Sequence, residues 1–432
     1  MKKILFVTYN FPPAAGAGTQ RTLKFLKYLP EFGFETYVLT VDKVDYPDLD
    51  FSLLNEIPEH TKIFRTRYWT PFGIYRKITG RKPEDKIPVA FIKENQKSLA
   101  ERISVFLRMN VFLPDAKIGW LPFAVKRGKK IIKEHKIDLI YSSGPPHTCH
   151  LIAKALKNST GVKWIADFRD PWTEIDYYSG IGRTKLAEKI DSYLERSVLK
   201  RADYIISASS GYLRIIQSKG IPNKYDVITN GFDLDDFSKV KTKELKKFTI
   251  TYTGNMPYTR NPENLWSALD ELVNEVEDFR ENFEFHFAGV MDDEIKDTIS
   301  KMSFYKNFIN HGYVSHNDAV DLVFNSHLLI MIVNQVATSK EILPGKIFEY
   351  IASGNYILVI GPEDGESAKL INYIGQGTSI DYNKKDEMKK LIFVLYSKWK
   401  KNELVKFESE QKNEFSRKIL TGKLADILHS II

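Results

Sequence analysis

At 432 residues the chain exceeds what one hydrophobic core usually organises, so two domains are expected. Hydrophobic residues at 43% and charged residues at 27% are ordinary globular values, which excludes disordered and fibrous classes. The net charge of +8 is uneven: residues 62–136 hold 19 Lys/Arg against 6 Asp/Glu, or +13, so whatever meets this stretch is expected to be anionic.

The start, MKKILFVTYNFPP, has the basic pair of a signal peptide, but its apolar run turns polar after Val7 and reads as a buried first strand. A Gly-rich loop, FPPAAGAGTQR, leads into TLKFLKYLPEFG, whose apolar residues have helical spacing, and TYVLTV follows as a second strand. The basic stretch comes next, with aromatics interleaved as in YWTPFGIYRK. That mixture suits an anionic membrane surface or lipid phosphate, and suits equally a solvated basic face over an amphipathic helix. Strands and helices then alternate through IDLIYSS, HLIAKALKNSTG, KWIADFRD, SYLERSVLKRA and DYIISASS, the pattern of a parallel sheet covered on both faces. The single cysteine, Cys149, cannot form an internal disulfide and fits a reducing compartment. A polar stretch, KYDVITNGFDLDDFSKVKTKELKK, interrupts the pattern as an interdomain linker would. The alternation restarts at FTITYTG and runs through FEFHFAG, FINHGYV, HLLIMIV and YILVIG; from about residue 386 the pattern is helical. No window approaches the ~20 apolar residues that span a bilayer.

Ligands of open parallel sheets gather beyond the carboxyl ends of the strands, where three segments carry chemistry. In Phe11–Arg21, Gly16 and Gly18 permit close backbone approach, and the following helix N-terminus can receive an anion. The loop lacks the lysine of an ATP-binding P-loop and the third glycine of a dinucleotide fingerprint, and on its own it also reads as a tight connection. In SKEILPGKIFEYIASG, Lys346 and the first-turn amides face an approaching anion, while Glu341 and Glu349 can accept hydrogen bonds from sugar hydroxyls. As bare residues these glutamates read equally as a solvated loop charge and a helix-dipole partner. In DFRDPWTE, Arg169 can pair with phosphate, Asp170 can accept a hydroxyl and Trp172 offers a flat face; a turn with a core tryptophan is the competing reading.

With these residues in place, the chain resembles the family-four retaining glycosyltransferases, especially bacterial members that build surface polysaccharides. The resemblance rests on FPPAAGAGTQR, DLIYSSGPPHTCHLIAKAL with KWIADFRDPW, TNGFDLDDF, and above all on Glu341, seven residues, then Glu349 inside PGKIFEYIASG. It implies a GT-B α/β fold, two doubly wound Rossmann-like domains facing across a cleft. Residues 1–212 would be the acceptor-side domain, 213–247 the linker region, 248–400 the nucleotide-sugar-binding domain, and 401–432 a C-terminal helix returning to the first domain. By position, Glu349 would bind the donor ribose, Glu341 the transferred sugar, and Gly345 with Lys346 the diphosphate, with Gly254 and Asn255 lining the donor side. Gly16 and Gly18 would border the reaction centre. Arg260 falls near the family's phosphate-binding lysine, and Arg169 and Asp170 join the catalytic group. Two positions depart from the pattern: Asn255 stands where a basic residue is frequent, and Arg169 where many members have histidine. His147 is placed on the acceptor side.

The resemblance implies a hexosyl- or N-acetylhexosaminyltransferase that moves a sugar from a nucleotide-sugar, a UDP-sugar by preference, to a glycan or lipid-linked acceptor. It would work in the cytoplasm, peripherally on the inner face of the membrane. No cofactor is expected: Asp233 and Asp235 form an Asp-x-Asp only within a turn, so a metal site is not anticipated, and fixed cations would stabilise the leaving phosphate. The alternatives are a GT-B sugar-nucleotide epimerase or hydrolase, and a non-catalytic partner subunit of the same fold. The basic charge alone does not indicate nucleic acid, because no nucleic-acid motif accompanies it.

Overall fold

The computed structural model describes residues 1–42, 46, 48–69, 99–174, 182–238, 240–241 and 243–432, with the side chains of 99–104 excepted. The chain divides into two compact units, Met1–Thr229 with Leu420–Ile432, and Asn230–Ile419. Much of the basic stretch, residues 70–98, lies outside the described residues.

The first unit is built on a seven-stranded parallel sheet of order β3-β2-β1-β4-β5-β6-β7. Its strands are β1 (Lys2–Val7), β2 (Phe34–Val41), β3 (Lys62–Thr66), β4 (Leu139–Gly144), β5 (Lys163–Phe168), β6 (Tyr204–Ser207) and β7 (Tyr225–Val227). The two-residue strand period sorts the apolar run of β1 between two cores: Leu5 and Val7 join one cluster, Ile4 and Phe6 the other. β5 is divided in the same way, with Trp164, Ala166 and Phe168 on one face and Ile165 on the opposite face. Helices close both faces. Thr148–Thr160 contributes Cys149, Ile152, Ala153 and Leu156 to the first cluster, and the terminal helix Arg417–Ile431 contributes Leu420, Leu424 and Leu428 to the second.

The boundary between units differs from the expected one. Residues 213–247 are not all linker: the helix Ser210–Gln217 and strand β7 extend the first sheet, and the division falls at Thr229/Asn230. β7 is a three-residue edge strand with an exposed central Asp226, too short and too polar to show an apolar period. The last thirteen residues group with the first unit.

The second unit carries a six-stranded parallel sheet of order β10-β9-β8-β11-β12-β13. Its strands are β8 (Phe248–Thr253), β9 (Phe283–Ala288), β10 (Phe308–Asn310), β11 (Leu328–Ile332), β12 (Tyr356–Ile360) and β13 (Gly377–Ile380). The helix Glu263–Glu275 buries Leu265, Trp266, Leu269, Leu272 and Val273 at three- and four-residue spacing against this sheet. In both units the strand order reverses beside the first strand, at β1/β4 and at β8/β11. Each sheet therefore splays its loops apart at the carboxyl end of that strand pair and leaves a crevice there.

Candidate functional site

At the β1/β4 crevice, Gly16 sits with φ +100 in open space just before the helix Ala17–Tyr28. Gly18, two residues on, has a different reason to be glycine: a Cβ there would lie 2.8 Å from Cζ of Arg169. The guanidinium of Arg169 thus lies flat against the helix start, donating from Nη1 to Ser143 Oγ at 2.8 Å and from Nη2 to the Pro145 carbonyl. Asp170 follows on the same loop after β5, partly exposed.

Beneath this surface lies a buried ion pair whose roles the sequence does not display. Arg21 donates from Nε and Nη2 to the two oxygens of Asp167, at 3.0 and 2.8 Å, and also to the carbonyls of Ile228 and Thr229. Ser143 Oγ donates to the same carboxylate at 2.8 Å. Burial alone would raise the Asp167 carboxyl, but Arg21 and Ser143 outweigh it and hold the group below its ordinary range. The charge-assisted fork ties the glycine loop, the β5 end and the chain after β7 into one unit.

His147, expected on the acceptor side, is instead buried, with its ring stacked on Trp172 at 4.5 Å. Burial pushes its imidazole well below the ordinary range, with His150 and Arg169 adding to the effect, so it is neutral. Trp172 is a core residue that donates from Nε1 to buried Asp191 at 2.7 Å. The reason is packing: the Pro171–Trp172 turn folds the indole inward over the helix Thr148–Thr160.

The β8/β11 crevice brings together most of the expected donor residues. Gly254 follows β8 with φ +110, and its N–H donates to the Ala288 carbonyl at 2.7 Å. Lys346, at the start of the helix Ile347–Ser353 and next to Gly345, reaches back so that Nζ donates to the Thr253 carbonyl at 2.5 Å. Its ammonium also lies 3.7 Å from the centroid of the Tyr252 ring. A Cβ at Gly254 would come 3.1 Å from that ammonium. Arg260 approaches from the turn Tyr258–Arg260, donating to Asn334 Oδ1 and, at 3.1 Å, to the Asn255 carbonyl.

Burial lowers the Lys346 ammonium well below its ordinary range and Arg260 lowers it further, against a smaller opposing effect of Glu349. Two cations thus converge on the Gly254–Asn255 loop and repel each other, an arrangement that an anion relieves. Asn255 itself is exposed, and its Oδ1 accepts from the Val290 N–H at 3.2 Å, so the side chain is spent on the loop.

Glu349 lies in the first turn of Ile347–Ser353, its carboxyl raised by burial, raised further by Asp236 and lowered by His316, Arg417 and Lys346. Glu341 ends the turn Ser339–Glu341, partly exposed. That loop is held by Ser339, whose Oγ donates to the Asn334 carbonyl at 2.6 Å, and by Tyr382, whose hydroxyl donates to the same carbonyl at 3.2 Å. Tyr252, Asn334 and Tyr382 therefore support the site without having been singled out in the sequence. Asp233 and Asp235 make a local turn, the Asp233 carboxylate accepting from the Asp235 N–H. Among the described residues no three His, Cys, Asp or Glu converge on a point.

Residues 88–236 match a family model described as Glycosyltransferase Family 4, a match over less than half of the chain. No curated protein matches. Among solved structures, sucrose-phosphate synthase from Thermosynechococcus elongatus is similar with TM-score 0.66 and 11% identity, covering 100% of this chain and 99% of that one. HepE from Anabaena, solved in complex with UDP, has TM-score 0.64 and 13% identity, each chain covered over 100%. WaaG, a glycosyltransferase involved in lipopolysaccharide biosynthesis, has TM-score 0.56 and 14% identity, with 98% and 99% covered. The chain has the GT-B fold of these structures.

Proposed function

We propose that the chain is a retaining glycosyltransferase that takes a nucleotide-sugar, a UDP-sugar by preference, and transfers its sugar to a glycan or lipid-linked glycan of a bacterial surface polysaccharide. The observation that carries this reading is the convergence of Lys346 and Arg260 on the Gly254–Asn255 loop at the switch point of the second sheet. A diphosphate is the ligand whose charge such a pair compensates, and the bond between anomeric carbon and phosphate breaks with negative charge growing on the phosphate. Lys346 and Arg260 stabilise that charge. Glu349 accepts from the donor ribose and Glu341 from the transferred sugar. On the first unit, Gly16 leaves open backbone and the Arg169–Asp170 loop offers a cation and a carboxylate for the acceptor. The match of residues 88–236 to the family model supports the reaction class, and the UDP in the HepE structure supports the choice of base.

Thermal shift against a panel of nucleotide-sugars tests the reading, since a ligand at 100 times its Kd adds about 2.7 kcal/mol. UDP and UDP-sugars are expected to stabilise the chain. A panel without any stabilising member would point to a non-catalytic subunit. Turnover of donor without acceptor would assign an epimerase or hydrolase instead.

A further inference from the structure

We propose that the outer face of the helix Lys185–Arg201, with the end of the helix Leu99–Asn110, is a docking surface for an anionic bilayer. The helix packs through Ala187, Asp191, Glu195, Val198 and Leu199, which are buried. On the other side, Leu186, Ile190 and Tyr193 are 69%, 41% and 71% exposed. Their spacing of four and three residues aligns them in one apolar stripe where a surface helix ordinarily carries polar residues.

The charges on this helix are divided about the stripe. At 3.6 residues per turn, Lys189, Arg196 and Lys200 run along one flank of it, whereas exposed Glu188 falls toward the packed side. The other two acids point inward: Asp191 accepts from Trp172 and Arg183, and Glu195 from Thr173. A second exposed apolar group adjoins the helix start, with Phe106 50% and Val111 58% exposed. The two helices are tied there. Thr184 N–H donates to Asn110 Oδ1 at 2.6 Å, Asn110 Nδ2 to the Gly182 carbonyl at 3.2 Å, and Arg183 Nε to the Met109 carbonyl at 3.3 Å.

Charge selects the occupant. An apolar stripe with lysine and arginine along its flank fits the boundary between acyl chains and anionic headgroups, where long basic side chains reach up to phosphate. No described helix is long and apolar enough to cross a membrane, so the helix would lie on the surface. Bilayer binding of this kind needs no nucleotide-sugar, so it stands or falls apart from the reaction proposed above.

The test is co-sedimentation of the full chain with vesicles of phosphatidylcholine alone and of phosphatidylcholine with phosphatidylglycerol. The unaltered chain is expected to partition onto the anionic vesicles and to be released by salt. In the double variant Ile190→Asp, Tyr193→Asp, partitioning should fall about tenfold or more, because two inserted apolar groups are replaced by charge. These are surface positions, so the melting temperature should match that of the unaltered chain. Lys189→Glu with Lys200→Glu should weaken binding and reduce its salt dependence. No binding by the unaltered chain, equal binding to neutral vesicles, or undiminished binding by the first variant would overturn the proposal. Self-association that the first variant abolishes in the absence of vesicles would also overturn it, by making a second copy the occupant.

Discussion

The proposed reaction gives the two glutamates of the second unit different roles. Glu349→Ala removes charge-assisted hydrogen bonds worth about 1.5–3 kcal/mol, so nucleoside diphosphate affinity should fall about tenfold to a hundredfold. Glu341→Gln should lower kcat while the nucleoside diphosphate, which lacks the sugar, binds nearly as before. Calorimetry with the diphosphate alone distinguishes them, and equal losses would refute the division. Lys346 gives a pH prediction. Its ammonium is depressed below the ordinary lysine range in the free protein, and a bound diphosphate raises it again. Binding should therefore take up protons at pH values between the free and bound pKa, with affinity falling as pH rises through the free-protein pKa. Calorimetry in two buffers of different ionisation enthalpy reads the uptake directly, and no difference between buffers would show that Lys346 does not contact the anion. The proposed donor residues could be singled out in the sequence because Glu341, Lys346 and Glu349 lie close together within a recognisable turn and helix start. Arg21 and Asp167 were not, since 146 residues separate them and neither sits in a pattern that announces a partner.

Among the elements, the helix Arg417–Ile431 is the one whose packing makes the sharpest stability prediction. Leu424 is fully buried against the first sheet, so Leu424→Ala should cost about 2–5 kcal/mol. Ile419, 44% exposed in the first turn of the same helix, provides the control, with Ile419→Ala within about 0.5 kcal/mol of the unaltered chain. Denaturant melts of the two variants make the comparison, and similar midpoints would show that the helix does not share the core of the first unit. Most strands could be read from sequence because their apolar runs are buried on both faces. β3, β7 and β13 could not: with three to five residues at the edges of their sheets, they have one neighbour each and little burial to leave a signature.

At the scale of the molecule, leaving-phosphate charge is assigned to Lys346 and Arg260, so transferase activity should persist in chelator. Complete loss in EDTA, restored by Mn²⁺ or Mg²⁺, would transfer that role to a metal. Two doubly wound sheets followed from the restart of the strand and helix alternation near residue 248. The division at Thr229/Asn230 did not, because the polar residues around it belong partly to an edge strand and partly to turns. The grouping of Leu420–Ile432 with the first unit makes that unit discontinuous in the chain. On the ribosome, its sheet emerges first but its second core stays open while residues 230–419 are made. At about 5–20 residues per second, that interval is on the order of 10–40 s. Through it, the apolar surface that Leu420, Leu424 and Leu428 later cover faces solvent or a chaperone. Birth order and folding order are thus opposed: of the two units, the one whose sheet is made first is the last to be completed.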